Sequence, residues 1–282
     1  MRWLVVGAKG MLGTDLVQVV TTAGHEAVGV DRDEVDITEP GSLDRWLTGT
    51  DVVVNCAAWT AVDPAEEHEA EAFAINAVGA ALTARAAAAV GARMVQISTD
   101  YVFDGVATAP YAETTPMAPR SAYGRTKAAG EWAVRAETDD YLVVRTAWLY
   151  GEHGPCFPRT IAKIASERGE VSVVTDQVGQ PTWTVDLADL VVRLVDGGAP
   201  VGTYHGTSSG QASWFEFARA AVVAAGLDEG VVTATTSQQF VRPAPRPQYS
   251  VLGHDAAKRA GVVPIDDWHA RWHQAAQQVM GQ

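Results

Sequence analysis

The chain has 282 residues, 47% of them hydrophobic, enough to bury a large core either as one α/β unit or as a main unit with a smaller lobe. A formal charge of −13 argues against a nucleic-acid partner, because no concentrated basic face offsets phosphate repulsion, but an anionic nucleotide needs only local arginines and helix amino termini. Cys56 and Cys156 are too far apart for a disulfide framework or a zinc spacing, the opening apolar run stops at Gly7, short of a signal peptide, and nothing approaches a membrane span, so a cytoplasmic protein is expected.

Trp3 to Val6 is apolar and β-branched and runs into Gly7-Ala-Lys9-Gly10-Met11-Leu12-Gly13, after which Thr14 to Ala23 has a helical pattern. A strand, a glycine turn and a helix in that order let backbone N–H groups approach a pyrophosphate, with the helix amino terminus facing its charge. The spacing is GxxGxxG, not the commoner GxGxxG. Glu26 to Val30 reads as a second strand. It ends at Asp31-Arg32, where Asp31 lies 18 residues beyond Gly13, near the roughly 20 at which an acid takes the adenosine ribose hydroxyls. Arg32 and Lys9 suit a 2′-phosphate instead, which leaves NADPH and NADH both open. Asp36, followed by Ile37 and Thr38-Glu-Pro40, reads as a helix cap.

Asp51 to Asn55 is the next strand. Ala57, Ala58, Trp59 and Thr60 follow at its end, where small residues allow a cofactor to approach. An alanine-rich helix spans about 68 to 90 and carries Asn76, read as a mid-helix residue bonding a neighbouring loop. Arg93 onward is a buried strand ending in Ser98 and Thr99. Both hydroxyls are expected in the crevice beyond the carboxyl ends of the strands, although such residues also satisfy loop backbone. Ser121-Ala-Tyr123-Gly-Arg-Thr-Lys127 then opens a helix with a phenol and an ammonium at i and i+4 on one face. A phenol beside a fixed cation has its ionised form stabilised, so Tyr123 and Lys127 are predicted to form an acid/base unit.

Tyr141 to Arg145 is a strand leading to Trp148 and Tyr150, followed by a helix from about Pro158 to Arg168 and a strand from Val171 to Thr175. Strands alternating with helices predict a doubly wound parallel sheet. Beyond Asp176 the pattern is less regular, with helices over about 185–195, 213–225 and 266–280, a short strand at Thr203–His205 and an ordered proline-rich loop, Arg242 to Pro247.

Taken together, Gly7xxGxxG13, Asn55-Cys-Ala-Ala-Trp-Thr-Ala-Val-Asp63, Ser98-Thr-Asp-Tyr-Val-Phe103, Tyr123-Gly-Arg-Thr-Lys127 and Arg145-Thr-Ala-Trp-Leu-Tyr150 resemble the extended short-chain dehydrogenase/reductases, and within them the dTDP-4-dehydrorhamnose reductase family. The resemblance continues through Asp176 to Thr182 and Arg246 to Leu252. It implies a Rossmann-like dinucleotide-binding unit over mainly 1–150 and a smaller C-terminal α/β substrate lobe over mainly 151–282, with segments returning to the main sheet.

The chemistry implied by the resemblance is reduction of the C4 ketone of a dTDP-4-keto-6-deoxyhexose by NADPH or NADH. Tyr123 would give its proton to the oxygen, Lys127 would lower the tyrosine pKa and hold the nicotinamide ribose, and Thr99 would hydrogen-bond the carbonyl oxygen. Asp36 and Ile37 match adenine-side contacts and Asn76 a family asparagine; Asp100 and Trp148 match sugar contacts, and Arg246 would meet the diphosphate. Tyr101 stands where sugar 4,6-dehydratases carry glutamate. The same catalytic residues serve rhamnose or a natural-product deoxysugar, and a cofactor-binding regulatory subunit of this fold is the rival from another class. Some of these reductases are dimers bridged by magnesium between three carboxylates. Asp15 and Asp186 match two of these positions, but no acid follows Asp267, so the expected site holds no metal and magnesium is the lesser reading. A homodimer is compatible with the resemblance; a nucleic-acid or membrane partner is not expected.

Overall fold

The computed structural model describes residues 1–281. The chain runs through β1 (Arg2–Val6), α1 (Met11–Thr22), β2 (Glu26–Val30), β3 (Val52–Asn55), α2 (Glu69–Phe73), α3 (Ala80–Ala89), β4 (Arg93–Thr99), α4 (Ala122–Glu137) and β5 (Tyr141–Thr146). It continues through β6 (Leu149–Tyr150), α5 (Phe157–Arg168), β7 (Val171–Val174), β8 (Val178–Gly179), β9 (Thr182–Trp183), α6 (Thr184–Asp196) and β10 (Gly202–His205). The last elements are β11 (Ser208–Ser209), β12 (Ala212–Ser213), α7 (Trp214–Ala224), β13 (Val232–Thr235), α8 (Asp255–Arg259), β14 (Ile265–Asp267) and α9 (Trp268–Met280).

Six strands form a parallel sheet in the order β10-β5-β4-β3-β1-β2. Runs such as Val52-Val53-Val54 are buried because helices cover both faces, as an all-parallel sheet requires. On one face Leu12, Leu16 and Val20 of α1 pack with Leu187, Leu190 and Leu194 of α6; on the other lie Ala80, Ala84 and Ala87 of α3 with Val134 of α4. Strand order reverses between β1 and β3, and the register Val6↔Asn55 and Asn55↔Gln96 brings their carboxyl ends level. That reversal opens a crevice above β1, β3 and β4.

Three sequence expectations change. The strand at Val171–Val174 is not in the main sheet; it pairs in parallel with β13, 61 residues on at the Val171↔Val232 register. No helix follows Asp36. Its Oδ1 instead accepts from the N–H and Oγ1 of Thr38 at 2.9 and 2.7 Å in a local turn, since Pro40 and a left-handed Gly41 (φ 78°) interrupt any helix. Finally, α2 continues through a π-helical turn, Ala74–Gly79, into α3, and the 69–89 helix has mean hydropathy 1.3, long and apolar enough by composition to span a membrane. Its apolarity comes from alanines, and Ala72, Ala80, Ala84 and Ala87 are fully buried within the fold.

Beyond the sheet, Tyr150, Trp183, Phe217, Trp268 and Trp272 form an aromatic core among α7, α9 and the short β pairs. The serine that caps α7, Ser213, makes a reciprocal capping box with Glu216.

Candidate active site

The crevice floor begins at the glycine turn. Gly7 is left-handed (φ 82°), and a β carbon on Gly13 would collide with the Gly7 carbonyl, so the turn admits no side chain at either point. Helix α1 starts at Met11, earlier than the sequence pattern suggests, and its cap residue Gly10 offers no side-chain bond. With no acid in the first turn, the leading N–H groups of α1, those of Met11 and Leu12 among them, face outward as an anion-binding terminus. This cradle fits a dinucleotide pyrophosphate.

At the end of β2, Asp31 spends its two oxygens on the N–H groups of Lys9 and Arg32, both at 2.8 Å, and so ties the glycine turn to the second strand. Lys9 departs from its expected part: its Nζ lies 2.7 Å from Asp33 and 3.2 Å from Glu34, because an exposed flexible ammonium settles on the acids nearest to it. Among the described residues Arg32 makes no salt bridge, although its charge acts on the neighbouring Asp33. Ile37 is buried against Gly79, below the exposed Asp36.

Ala58, Trp59 and Thr60 line the loop after β3. Asn76, from the π turn, accepts from the Trp59 N–H at 2.9 Å and donates to the Trp59 carbonyl at 3.1 Å and to Thr126 Oγ1 at 3.0 Å. The extra residue in a π turn re-aims one side chain, and here it staples the β3 loop to α4.

Ser121 caps α4 through the Gly124 N–H, and Tyr123 and Lys127 stand one turn apart. Lys127 Nζ donates to the Ile97 carbonyl at 2.7 Å. Burial lowers its pKa to about 8 against the opposing pull of Glu131 and Cys56. Burial also pushes Tyr123 up to about 12, with Thr99 pulling the other way. Desolvation of the phenolate therefore sets the direction at Tyr123, and Asp100 adds to it.

Ser98 and Thr99 do not share the crevice, since successive strand residues face opposite sides. Ser98 Oγ donates to Glu131 Oε1 at 2.6 Å, inside a network centred on the buried Glu131, which Arg145 clamps through two 2.8 Å bonds and the half-buried Arg135 contacts at 3.0 Å. Thr99 Oγ1 donates to Asp100 Oδ1 at 2.9 Å and caps the Tyr101 N–H at 3.3 Å. Asp100 is 2% exposed with Oδ2 unpartnered, and burial raises its pKa to about 6.

Trp148 adopts φ 47°, the one non-glycine in that region among the described residues, and stacks on Trp214 at 3.6 Å between ring centres. A β carbon at Gly179 would lie 2.5 Å from its indole, so only glycine lets the ring sit there. Arg246 Nη2 is 2.9 Å from Asp63 Oδ1. The sequence pattern assigns no role to Glu131 or Asp63. Glu131 carried a signal, four residues past Lys127 on the same face, whereas Asp63 is 183 residues from its arginine and carried none.

The carboxylates matched to metal positions are turned to other partners. Thr184 Oγ1 donates to Asp15, whose Oδ1 lies 3.5 Å from His153, and Arg271 holds Asp186 by two bonds at 2.6 and 2.8 Å. Among the described residues no three His, Cys, Asp or Glu side chains of this one chain are grouped to hold a metal.

The sequence model of the RmlD substrate binding domain matches residues 1–280. A protein from Streptomyces niveus named dTDP-4-keto-6-deoxy-D-glucose reductase is 46% identical, over 97% of this chain and 96% of its own. The structure of a dTDP-4-dehydrorhamnose reductase from Clostridium acetobutylicum is 41% identical and superposes with a TM-score of 0.93, covering 98% of both chains. That of a dTDP-4-dehydrorhamnose reductase from Bacillus anthracis in complex with NADP is 35% identical, with a TM-score of 0.93 over 97% of this chain and 98% of that one.

Proposed function

The chain belongs to the RmlD substrate binding domain family, and from that premise we propose that it reduces the C4 ketone of a dTDP-4-keto-6-deoxyhexose with NADPH or NADH, converting dTDP-4-dehydro-L-rhamnose to dTDP-L-rhamnose. The observation that supports this reading is Tyr123 one turn from Lys127 on α4, with Thr99 bonded to the phenol and Lys127 on the Ile97 carbonyl near the end of β4.

When bound, the nicotinamide supplies hydride to C4. Tyr123 gives its proton to the developing alkoxide, and a phenol with a pKa near 12 is fully protonated at neutral pH, the form a donor needs. Thr99 Oγ1 donates to the same oxygen after release from Asp100, and Trp148 walls the sugar. Lys127, with a pKa of about 8, is about nine-tenths charged at pH 7 and holds the ribose beside Tyr123. The residues assigned to the cofactor are Gly7, Gly10, Met11, Leu12, Gly13, Arg32, Asp31, Asp36, Ile37, Ala58, Trp59 and Thr60. Residues 1–150 serve it mainly and 151–282 the sugar nucleotide, with α6 and β10 lent back to the sheet. The free thiols Cys56 and Cys156 suit a reducing cytoplasm.

The Streptomyces niveus relative favours a second reading, a 4-ketoreductase making a different deoxysugar with the same residues. Incubation with NADPH and dTDP-4-keto-6-deoxyglucose, with and without a 3,5-epimerase, followed by product NMR, separates the two. Turnover only with the epimerase supports the rhamnose reading, turnover without it the second, and an intact ketone in both sinks the reductase.

A further inference from the structure

Segment 241–247 lies against Asp63, in the loop after β3, and Gly105, in the loop after β4, between two anchors. On one side Ser237 is bonded to Asp176 through its N–H and hydroxyl, and on the other Gln248 and Tyr249 donate to the Gly105 carbonyl. Between them, among the described residues, the segment's polar tie to the rest of the chain is Asp63. Its Oδ1 accepts from the Ala244 N–H at 3.2 Å and from Arg246 Nη2 at 2.9 Å, and its Oδ2 lies 3.6 Å from Arg242. The clasp stands next to the chemistry. Tyr101, whose pKa burial raises and Arg246 lowers, packs edge-on to Tyr123 with ring centres 5.5 Å apart.

Two arginines face the single Asp63 carboxylate in the clasp. A guanidinium has five N–H donors; Asp63 and the Ala244 carbonyl, 3.2 Å from Nη1, engage two of them, so three remain for an anion. Arg246 can therefore stay clasped while it binds phosphate, and the clasp removes rotamer freedom that a loose arginine would lose on binding.

We propose that Asp63 is a positioning residue for the nucleotide-sugar diphosphate, holding segment 241–247 down and presenting Arg246 to the phosphates. This rests on the reductase reading above. Asp63 is bonded to Ala244, Arg246 and Arg242 and to none of Tyr123, Lys127 and Thr99, so its removal is expected to act on one ligand.

The test compares wild type, Asp63→Ala, Asp63→Asn, Arg246→Ala and the Asp63→Ala/Arg246→Ala double variant, using calorimetry with dTDP alone and steady-state kinetics with the ketosugar. Loss of the clasp is expected to weaken dTDP affinity and raise the sugar KM by about tenfold, with kcat and the NADPH KM within about twofold. In the Arg246→Ala background Asp63→Ala is expected to change dTDP affinity by less than about twofold, because its action runs through that arginine. Asp63→Asn, which keeps the shape and loses the charge, is expected to fall between. Unchanged dTDP affinity, or full additivity in the double variant, overturns the proposal. So does a joint fall in thermal midpoint, kcat and NADPH affinity, which would make Asp63 a structural brace. A wild type that binds dTDP in an Asp63-dependent way but reduces neither sugar would remove the reductase reading and leave the clasp standing.

Discussion

Replacing Glu131 by glutamine keeps the side-chain shape and removes the charge at the centre of the network behind Lys127. Glu131 is wholly buried, and the Arg145 side chain is 3% exposed, so the variant leaves a guanidinium without a counter-charge where water cannot reach it. Breaking a buried pair from one side costs about 3–5 kcal/mol, a large part of the ~5–15 kcal/mol that holds a domain folded. At about 2–4 °C per kcal/mol, the thermal midpoint is expected to fall by roughly 6–20 °C. Urea melts give the energy and calorimetry the midpoint. The control is Arg85→Ala, which breaks an equally short contact to Glu137 with an arginine 63% exposed, and is expected to do little because solvent screens that pair. A Glu131→Gln variant within about 1 kcal/mol of wild type would refute the view that this network braces α4 against β4 and β5.

Four further outcomes follow from the site. Because burial lowers Lys127 to about 8 and the charged form is the working one, kcat/KM for reduction should fall above about pH 8; a profile flat to pH 10 would contradict this. In the same protein Lys127 is neutralised earlier than in the unfolded chain, so between about pH 8 and 10.5 the unfolded state binds more protons, and the Lys127 contribution to stability should rise with pH, as melts across that window would show. Arg32→Ala should raise the KM for NADPH by about tenfold and leave NADH nearly unchanged, whereas equal losses would show that Arg32 does not read a 2′-phosphate. EDTA should alter neither the mass seen by light scattering nor, beyond about a few-fold, the activity; dissociation reversed by magnesium would show that Asp15 and Asp186 suffice as ligands.

Much of the site was legible because it is local. Gly7 to Gly13, Asp31 and the Tyr123-to-Lys127 turn are read by spacing, and each falls where a strand or helix end puts it. What escaped depends on distance or environment. Ser98 and Thr99 look alike in sequence, and the strand's two-residue period sends one to Glu131 and the other to the crevice. The strand at Val171–Val174 could be recognised, but its partner at Val232–Thr235 is a tertiary matter. The upward shift at Tyr123 was not legible, because the pattern shows a neighbouring cation and conceals the burial that raises the pKa. Arg246 was visible as an arginine; Asp63, which fixes where it points, became visible only once the β3 loop and the C-terminal segment met.

The most direct test of the central claim is a single-turnover comparison of wild type and Tyr123→Phe with NADPH and the dTDP-ketosugar. Loss of the hydroxyl with the ring kept should slow ketone reduction by roughly 10²-fold or more while NADPH and dTDP affinities stay within about twofold. Near-normal reduction by Tyr123→Phe would take the proton donor out of the mechanism, and with it the assignment of the crevice beyond β4 as the place where the ketone is reduced.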